Sequence, residues 1–286
     1  MNSTAEIIIT QALLEDIMDM DGAFAPGDHS SRACMPNPTE GKAKLLCKAE
    51  GILAGVELAK IICNEVDRDI KFEGFLADGT PIKNGDIAFH LHGEVKSLLR
   101  AERVVLNFMQ RMSGIATNTS KFVAAIAGTN ATIIDTRKTT PALRYFEKWA
   151  VRIGGGQNHR YGLFDMIMLK DNHIDFCGGI TKAIEAVKTY QQKNNLKLRV
   201  EIEARNLKDV EEILSVGHVT RIMFDNFTPD LMKQGVAMVN HQYETEASGG
   251  INLQTVRSYA ETGVDFISVG ALTHSSGSLD LSLKAF

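Results

Sequence analysis

From about residue 130 onward, short apolar runs alternate with longer stretches in which apolar positions recur every three or four residues. The apolar runs are TIIDT (132–136), FDMIMLKD (164–171), LRVEIEA (198–204), RIMFDN (221–226), YETEASG (243–249) and VDFISVG (264–270). Helical spacing fills 141–153, 179–194, 206–216, 229–241 and 252–262. Strands separated by helices predict parallel strands joined by crossovers. Six such units fit a closed barrel, with an open doubly wound sheet as the other arrangement.

The first hundred residues lack this rhythm. ILAGVELAKIIC (52–63) reads as a helix, or as a buried strand followed by one. FEGFLADGTPIKNGDIAFHLHGEV (72–95) is hairpin-like, with Asp-Gly, Thr-Pro and Asn-Gly turn signals between alternating apolar residues. LLRAERVVLNFMQRMSGIATNTSKFVAAIAG predicts a long helix broken near Ser113-Gly114.

A chain of 286 residues that is 44% hydrophobic can bury one large core or two unequal ones. The opening MNSTAEIIITQALLEDIMDMD has no basic segment before its apolar residues, so a secretory signal is not expected. No apolar run nears the roughly 20 residues that cross a bilayer. Four cysteines (34, 47, 63, 177) are scattered without a C-x-x-C pair, which predicts free thiols, small buried hydrophobes in a reducing compartment. The cytoplasm is the expected location, with neither membrane nor nucleic acid as partner.

Charge is distributed unevenly. The formal net charge is −4, yet from Arg137 to Lys170 seven Lys or Arg face two acids. A basic island in an acidic protein predicts a small polyanion as ligand, because a nucleic-acid surface usually tilts a whole domain basic. Within the island, Arg137, Lys138 and Lys170 fall at strand ends, and His159 and Arg160 follow a triple glycine, 154–156. Arg offers a planar fork to carboxylate or phosphate, and Lys a movable point charge. His159 is a candidate proton or hydrogen-bond donor to an anionic substrate. Lys148, and with it Arg144 and Arg152, falls within a helical stretch and reads as a solvated face. The glycine run reads as a hinge that brings His159 and Arg160 over the barrel mouth.

The other strand ends carry acids and glycines. Glu203 and Asp225 suit a divalent metal beside phosphate, or the stabilisation of a cationic transition state. Glu201 and Glu203 are expected on opposite strand faces, with Glu203 taken for the site because it lies nearer the strand end. Ser248-Gly249-Gly250 and Val269-Gly270-Ala271 predict phosphate cradles at helix starts. Barrels work at the face formed by strand C-termini, which explains why polar residues gather there.

The ordered set DTRKTTPALR, GGGQNHRYGLFDMIMLKDNHI, VEIEARNL, MFDN, EASGGINL and ISVGALTHS resembles the motifs of the quinolinate phosphoribosyltransferase family. RAERVVLNFMQRMSGIAT (100–117) resembles that family's interdomain segment, so the likeness covers some two-thirds of the chain. It implies phosphoribosyl transfer from phosphoribosyl pyrophosphate (PRPP) to quinolinate with decarboxylation, assisted by Mg2+. Its fold would be α/β: an N-terminal α/β sandwich (residues 1–104, joined by the tail 275–286) plus an incomplete TIM-like (β/α) barrel (105–274). By resemblance Arg103, Thr136, Arg137, His159, Arg160 and Lys170 would bind quinolinate. Lys138 would lie between the substrates and contact PRPP, as a catalytic residue together with Glu203 and Asp225, which would lie near the ribose and, through water and PRPP, the magnesium. Ser248, Gly249, Gly250, Val269, Gly270, Ala271 and His274 would take the 5′-phosphate. The family pairs as homodimers in which the residue matching Arg103 enters the partner's site.

Two residues depart from the family pattern: Ala142 stands where glycine is usual, and Arg152 adds a charge before the glycine run. Three other readings compete. A related pyrophosphorylase-like barrel could act on another acid. A Schiff-base aldolase could use Lys170, although that chemistry wants a lysine among apolar groups. A polyanion-binding module without catalysis leaves the paired cationic and acidic halves unexplained.

Overall fold

The computed structural model describes residues 3–19 and 21–286, which divide into two compact units. The first unit comprises residues up to 120, 139–155 and 275–286, and the second 121–138 and 156–274.

In the first unit, α1 (Ser3–Glu15) and α2 (His29–Cys34) precede β1 (Glu40–Cys47), β2 (Gly51–Ile52) and α3 (Val56–Val66). There follow β3 (Lys71–Gly74), β4 (Pro81–Ile82), β5 (Ile87–Glu94) and α4 (Val95–Ala125). A four-stranded antiparallel sheet runs β12-β1-β5-β3, where β12 is the last strand of the chain, Leu281–Ala285. The hairpin-like segment is thus divided: β3 pairs with β5, and β4 pairs separately with β2.

Contrary to expectation, α4 runs unbroken through Ser113-Gly114. Ser113 is tied by its hydroxyl to the Ala54 N–H (2.9 Å). A Cβ on Gly114 would fall 1.8 Å from the carbonyl oxygen of Gly277. Glycine at 114 permits close approach of another backbone and does not end the helix. The expected boundary between 104 and 105 therefore falls inside α4, and the compact units part further along it.

The second unit holds six parallel strands: β6 (Thr132–Ile134), β7 (Met166–Leu169), β8 (Arg199–Ala204), β9 (Arg221–Asp225), β10 (Glu244–Ser248) and β11 (Phe266–Ser268). Their hydrogen-bonded order, β6-β11-β10-β9-β8-β7, is the cyclic order of a barrel with β6 and β7 unpaired. An isolated bridge from Ile134 to Gln157 borders that gap. The crossover between β6 and β7 contains α5 (Arg144–Ile153), which groups with the first unit. The barrel is therefore incomplete, and the open doubly wound sheet is set aside.

Later crossovers use α6 (Asp171–Cys177) and α7 (Ile180–Asn194), then α8 (Leu207–Val216), α9 (Pro229–Val239) and α10 (Val256–Ala260), and α11 (Ala271–His274) follows β11. Asn206 caps α8 by accepting the N–H groups of Lys208 and Asp209, and Thr228 with Pro229 starts α9. Strands β7 and β9 read as nearly continuous apolar runs, as buried parallel strands do, whereas β8 and β10 carry two glutamates each. In β8 the alternation puts Glu201 and Glu203 on one face, with Val200 and Ile202 on the other, since residues two apart share a face. The expectation that the two glutamates oppose each other is wrong for that reason.

Two further expectations change. Lys148 is buried at 2% exposure, not on a solvated face, whereas Arg152 is exposed and Arg144 donates to the Thr139 hydroxyl (3.0 Å). Of the free cysteines, 47 and 63 are buried but 34 and 177 are exposed. No helix among the described residues is long and apolar enough to cross a membrane.

Candidate active site

A cavity of about 770 Å3 opens at the C-terminal ends of the barrel strands, lined wholly by the second unit. Every predicted site residue lines it except Arg103, which lies exposed on α4 in the first unit.

The cationic half begins after β6. Thr136 accepts the Lys138 N–H on its hydroxyl (3.0 Å), and the Lys138 carbonyl accepts the Thr273 hydroxyl (2.8 Å). That pins the turn and leaves Arg137 and Lys138 on the cavity wall. Opposite in sequence, Arg160 is 9% exposed and donates to the Met166 carbonyl (3.3 Å). Burial, and then the nearby charge of Arg137, lower the Arg160 pKa, though an arginine stays cationic in either case.

Asp135 positions the segment that bears Arg160. Fully buried, it accepts the His159 N–H (2.8 Å) and the Asn158 side-chain amide (2.6 Å). Gly155, at φ +90°, supplies the left-handed turn that feeds this segment, while Gly154 lies where a Cβ would meet the Ala116 carbonyl at 2.4 Å. His159 consequently sits within the barrel, not over its mouth. Its Nε2 lies 3.1 Å from Glu201 and 3.4 Å from Glu246, both fully buried, and its Nδ1 accepts the Arg160 N–H (2.6 Å). Burial pulls the His159 pKa down, but Glu201 and Glu246 outweigh it and push the group up to about 9. A second ring proton, on Nδ1, would displace the Arg160 contact. Glu246 also takes Arg221 at 2.7 Å.

The acidic half adjoins. Lys170 pairs with Glu203 (2.7 Å), whose other oxygen accepts the Asp171 N–H (3.0 Å) and so helps to start α6 where a strand end was expected. Asp225 is held above the usual carboxylate range, by burial first and by the Glu203 charge second. Two neighbouring carboxylates that share the charge of Lys170 offer hard oxygen donors of the kind that suits magnesium.

Glycines shape the remaining wall. At Gly249, φ is +106° and a Cβ would lie 2.3 Å from the Asn226 side-chain oxygen. The helix expected at 252–262 forms only over α10, so the 248–250 turn offers its own N–H groups and not those of a helix start. Gly270 runs directly into the single turn of α11, with His274 at its end. Met168, Met223, Ile251, Asn252 and Ser268 also line the cavity and were not anticipated. For Met168, Met223 and Ser268, strand parity with Lys170, Asp225 and Gly270 was the available signal.

An incomplete parallel barrel whose mouth joins clustered cations, paired carboxylates and glycine turns defines a barrel enzyme for anionic substrates. Residues 28–113 match the N-terminal domain, and 115–284 the C-terminal domain, of quinolinate phosphoribosyl transferase. The chain belongs to the quinolinate phosphoribosyltransferase family. It is 45% identical to quinolinate phosphoribosyltransferase (decarboxylating) 1b of Nicotiana tabacum, covering 97% of this chain and 81% of that one. The probable nicotinate-nucleotide pyrophosphorylase (carboxylating) of Bacillus subtilis is 43% identical over 85% of this chain and 82% of its own. The solved nicotinate-nucleotide pyrophosphorylase of Francisella tularensis superposes with a TM-score of 0.91 at 35% identity, covering 100% of this chain and 97% of that one.

Proposed function

We propose that the protein transfers phosphoribose from PRPP to quinolinate with decarboxylation, giving nicotinate mononucleotide, pyrophosphate and CO2 in de novo NAD biosynthesis. The carrying observation is one cavity with Arg137, Lys138, Arg160 and Lys170 beside Glu203 and Asp225, and glycine turns beyond.

In this reading Thr136, Arg137, Arg160 and Lys170 hold the two carboxylates, with His159 behind them, and Lys138 lies between the substrates. Ser248, Gly249, Gly250, Val269, Gly270, Ala271 and His274 take the 5′-phosphate. Exposed on α4, Arg103 reaches the site of a second copy in a homodimer. Glu203 and Asp225 would hold Mg2+ through water and PRPP, where the ion would neutralise charge on the departing diphosphate. Four free thiols support a reducing, cytoplasmic setting.

The cations bring together two anions that would otherwise repel, with the pyridine nitrogen facing the anomeric carbon. The nitrogen lone pair attacks as the bond to pyrophosphate breaks and its electrons leave with that group. Glu203 and Asp225 stabilise the cationic character of the sugar in transit. The C2–carboxyl bond then breaks, its electron pair remaining on C2 beside the positive nitrogen, and C2 takes a proton from solvent. No covalent nucleophile is needed. The pairing of Lys170 with Glu203 disfavours the aldolase reading, which needs a neutral amine.

Purified protein given quinolinate, PRPP and Mg2+ should form nicotinate mononucleotide with release of CO2. Equal use of nicotinate, or no product, overturns the proposal.

A further inference from the structure

We propose that Glu201 and Glu246 are positioning residues for the dicarboxylate half of the site, acting through His159. Both carboxylates are fully buried on the barrel interior, from β8 and β10. Ionised groups in such a place are costly unless paired. Glu246 has Arg221 at 2.7 Å, whereas His159 is the partner nearest Glu201, at 3.1 Å. His159 Nε2 lies between the two acids, so their combined field fixes the ring's Nε2 edge inward. Because Nδ1 accepts the Arg160 N–H, the ring carries its proton on Nε2, facing the two acids.

The consequence reaches the cavity by two short links. His159 Nδ1 holds the Arg160 N–H at 2.6 Å, and the His159 N–H is held by Asp135 at 2.8 Å. The ring is therefore clamped from below by the glutamates and from the side by its own backbone segment. Arg160, the next residue, lines the cavity, and its guanidinium donates to the Met166 carbonyl. A ring free to rotate would loosen the backbone that aims that guanidinium, and a misplacement of about 1 Å can cost on the order of 100-fold in a positioned reaction. The three donor atoms lie within 4.8 Å of one another, a spacing that a metal ion could also bridge. Arg221 on Glu246 already supplies positive charge there, which favours the ion-pair arrangement.

This inference rests on the quinolinate reading for its substrate, but its binding test needs no turnover. Glu201→Gln keeps the shape and replaces the carboxyl, whose pKa burial and the neighbouring Glu246 push up, with an amide. It should raise the quinolinate KM by about tenfold while the PRPP KM and kcat stay within about twofold. Affinity for phthalate, a dicarboxylate of the same outline without the ring nitrogen, should fall in parallel by calorimetry. His159→Gln should show the same selective loss. The double variant should be no worse than His159→Gln alone, because one residue acts through the other. In 15N spectra, the His159 ring signals should shift in Glu201→Gln.

Unchanged KM values, a parallel rise in both, or additive penalties would overturn the proposal. Should Glu201→Gln not fold, Glu246→Gln is judged by the same criteria. Wild-type protein that binds phthalate in a Glu201-dependent manner yet makes no nicotinate mononucleotide keeps this inference and removes the reaction assignment. Normal turnover with both glutamates silent does the reverse.

Discussion

Lys170 Nζ lies 2.7 Å from Glu203 Oε1, joining the cation expected to bind a dicarboxylate to an acid expected beside the ribose. The lysine is substantially exposed and the glutamate is 8% exposed, so the acid depends on the lysine more than the reverse. An anionic substrate that draws Lys170 away must leave Glu203 to another partner. The two half-sites share a charge and are therefore coupled.

Lys170→Ala should weaken quinolinate binding by about 10- to 100-fold, the worth of one or two charge-assisted hydrogen bonds. Arg137→Ala should have an effect of similar size. Calorimetry with quinolinate checks both, and thermal melting should show the fold intact. Unchanged affinity in either variant would remove the cationic-half argument.

Raising the pH should selectively destabilise the wild-type protein between about 6.5 and 9. The His159 pKa in the folded state, about 9, lies above its ordinary value of 6.5. Stabilisation from its charged pairing is complete below 6.5 and is lost as the pH rises through 9. The Arg160 N–H on Nδ1 opposes the second proton, so the shift sets an upper bound on the slope. Denaturant midpoints across that window should fall more steeply for wild type than for His159→Gln. Equal slopes would show that the ring stays neutral.

How much of this was legible differs by feature. The six strands were visible because their apolar runs are short and bounded by polar ends, and those ends proved to line the cavity. The meeting of Glu201 and Glu246 with His159 was not visible, since nothing in the pattern EIEA says that its first glutamate meets a histidine about forty residues away. Lys148 was misread because helical spacing cannot distinguish a solvated lysine from a buried one. Pairing of β12 with β1 joins residues more than 230 positions apart, and short-range periodicity carries no information at that distance.

Gly114→Ala discriminates two readings of one residue. If helix propensity governed the site, alanine would stabilise α4 by up to about 1 kcal/mol. The Gly277 carbonyl, 1.8 Å from the added Cβ, demands the opposite sign. A loss of about 2 kcal/mol or more is expected by denaturant unfolding.

Ala142→Gly should stabilise the protein. Thr140-Pro141-Ala142-Leu143 closes a turn through Leu143 N–H to the Thr140 carbonyl (3.1 Å), and Ala142 adopts φ +66°. Proline followed by a residue at positive φ is the type II arrangement, whose third position favours glycine. Relief of a left-handed alanine, about 1–2 kcal/mol, exceeds the entropy that glycine adds to the unfolded chain, about 0.5–1 kcal/mol. A gain of up to about 1 kcal/mol in unfolding free energy is the expected result.

Gly249→Ala and Gly250→Ala should separate the phosphate turn from the rest of the cavity. Both positions have positive φ, +106° and +61°, so each substitution strains the backbone. At Gly250 the added Cβ meets open space, and alanine can occupy the left-handed region at modest cost. At Gly249 it would collide with Asn226, whose amide is bonded to the Asp225 carboxylate at 2.8 Å. Displacing Asn226 disturbs the turn and the acid together. Gly249→Ala should therefore lose at least about tenfold in PRPP affinity, and Gly250→Ala several-fold less, with phthalate binding preserved in both. If phthalate affinity falls alongside that for PRPP, the 248–250 turn does not serve the phosphate half alone.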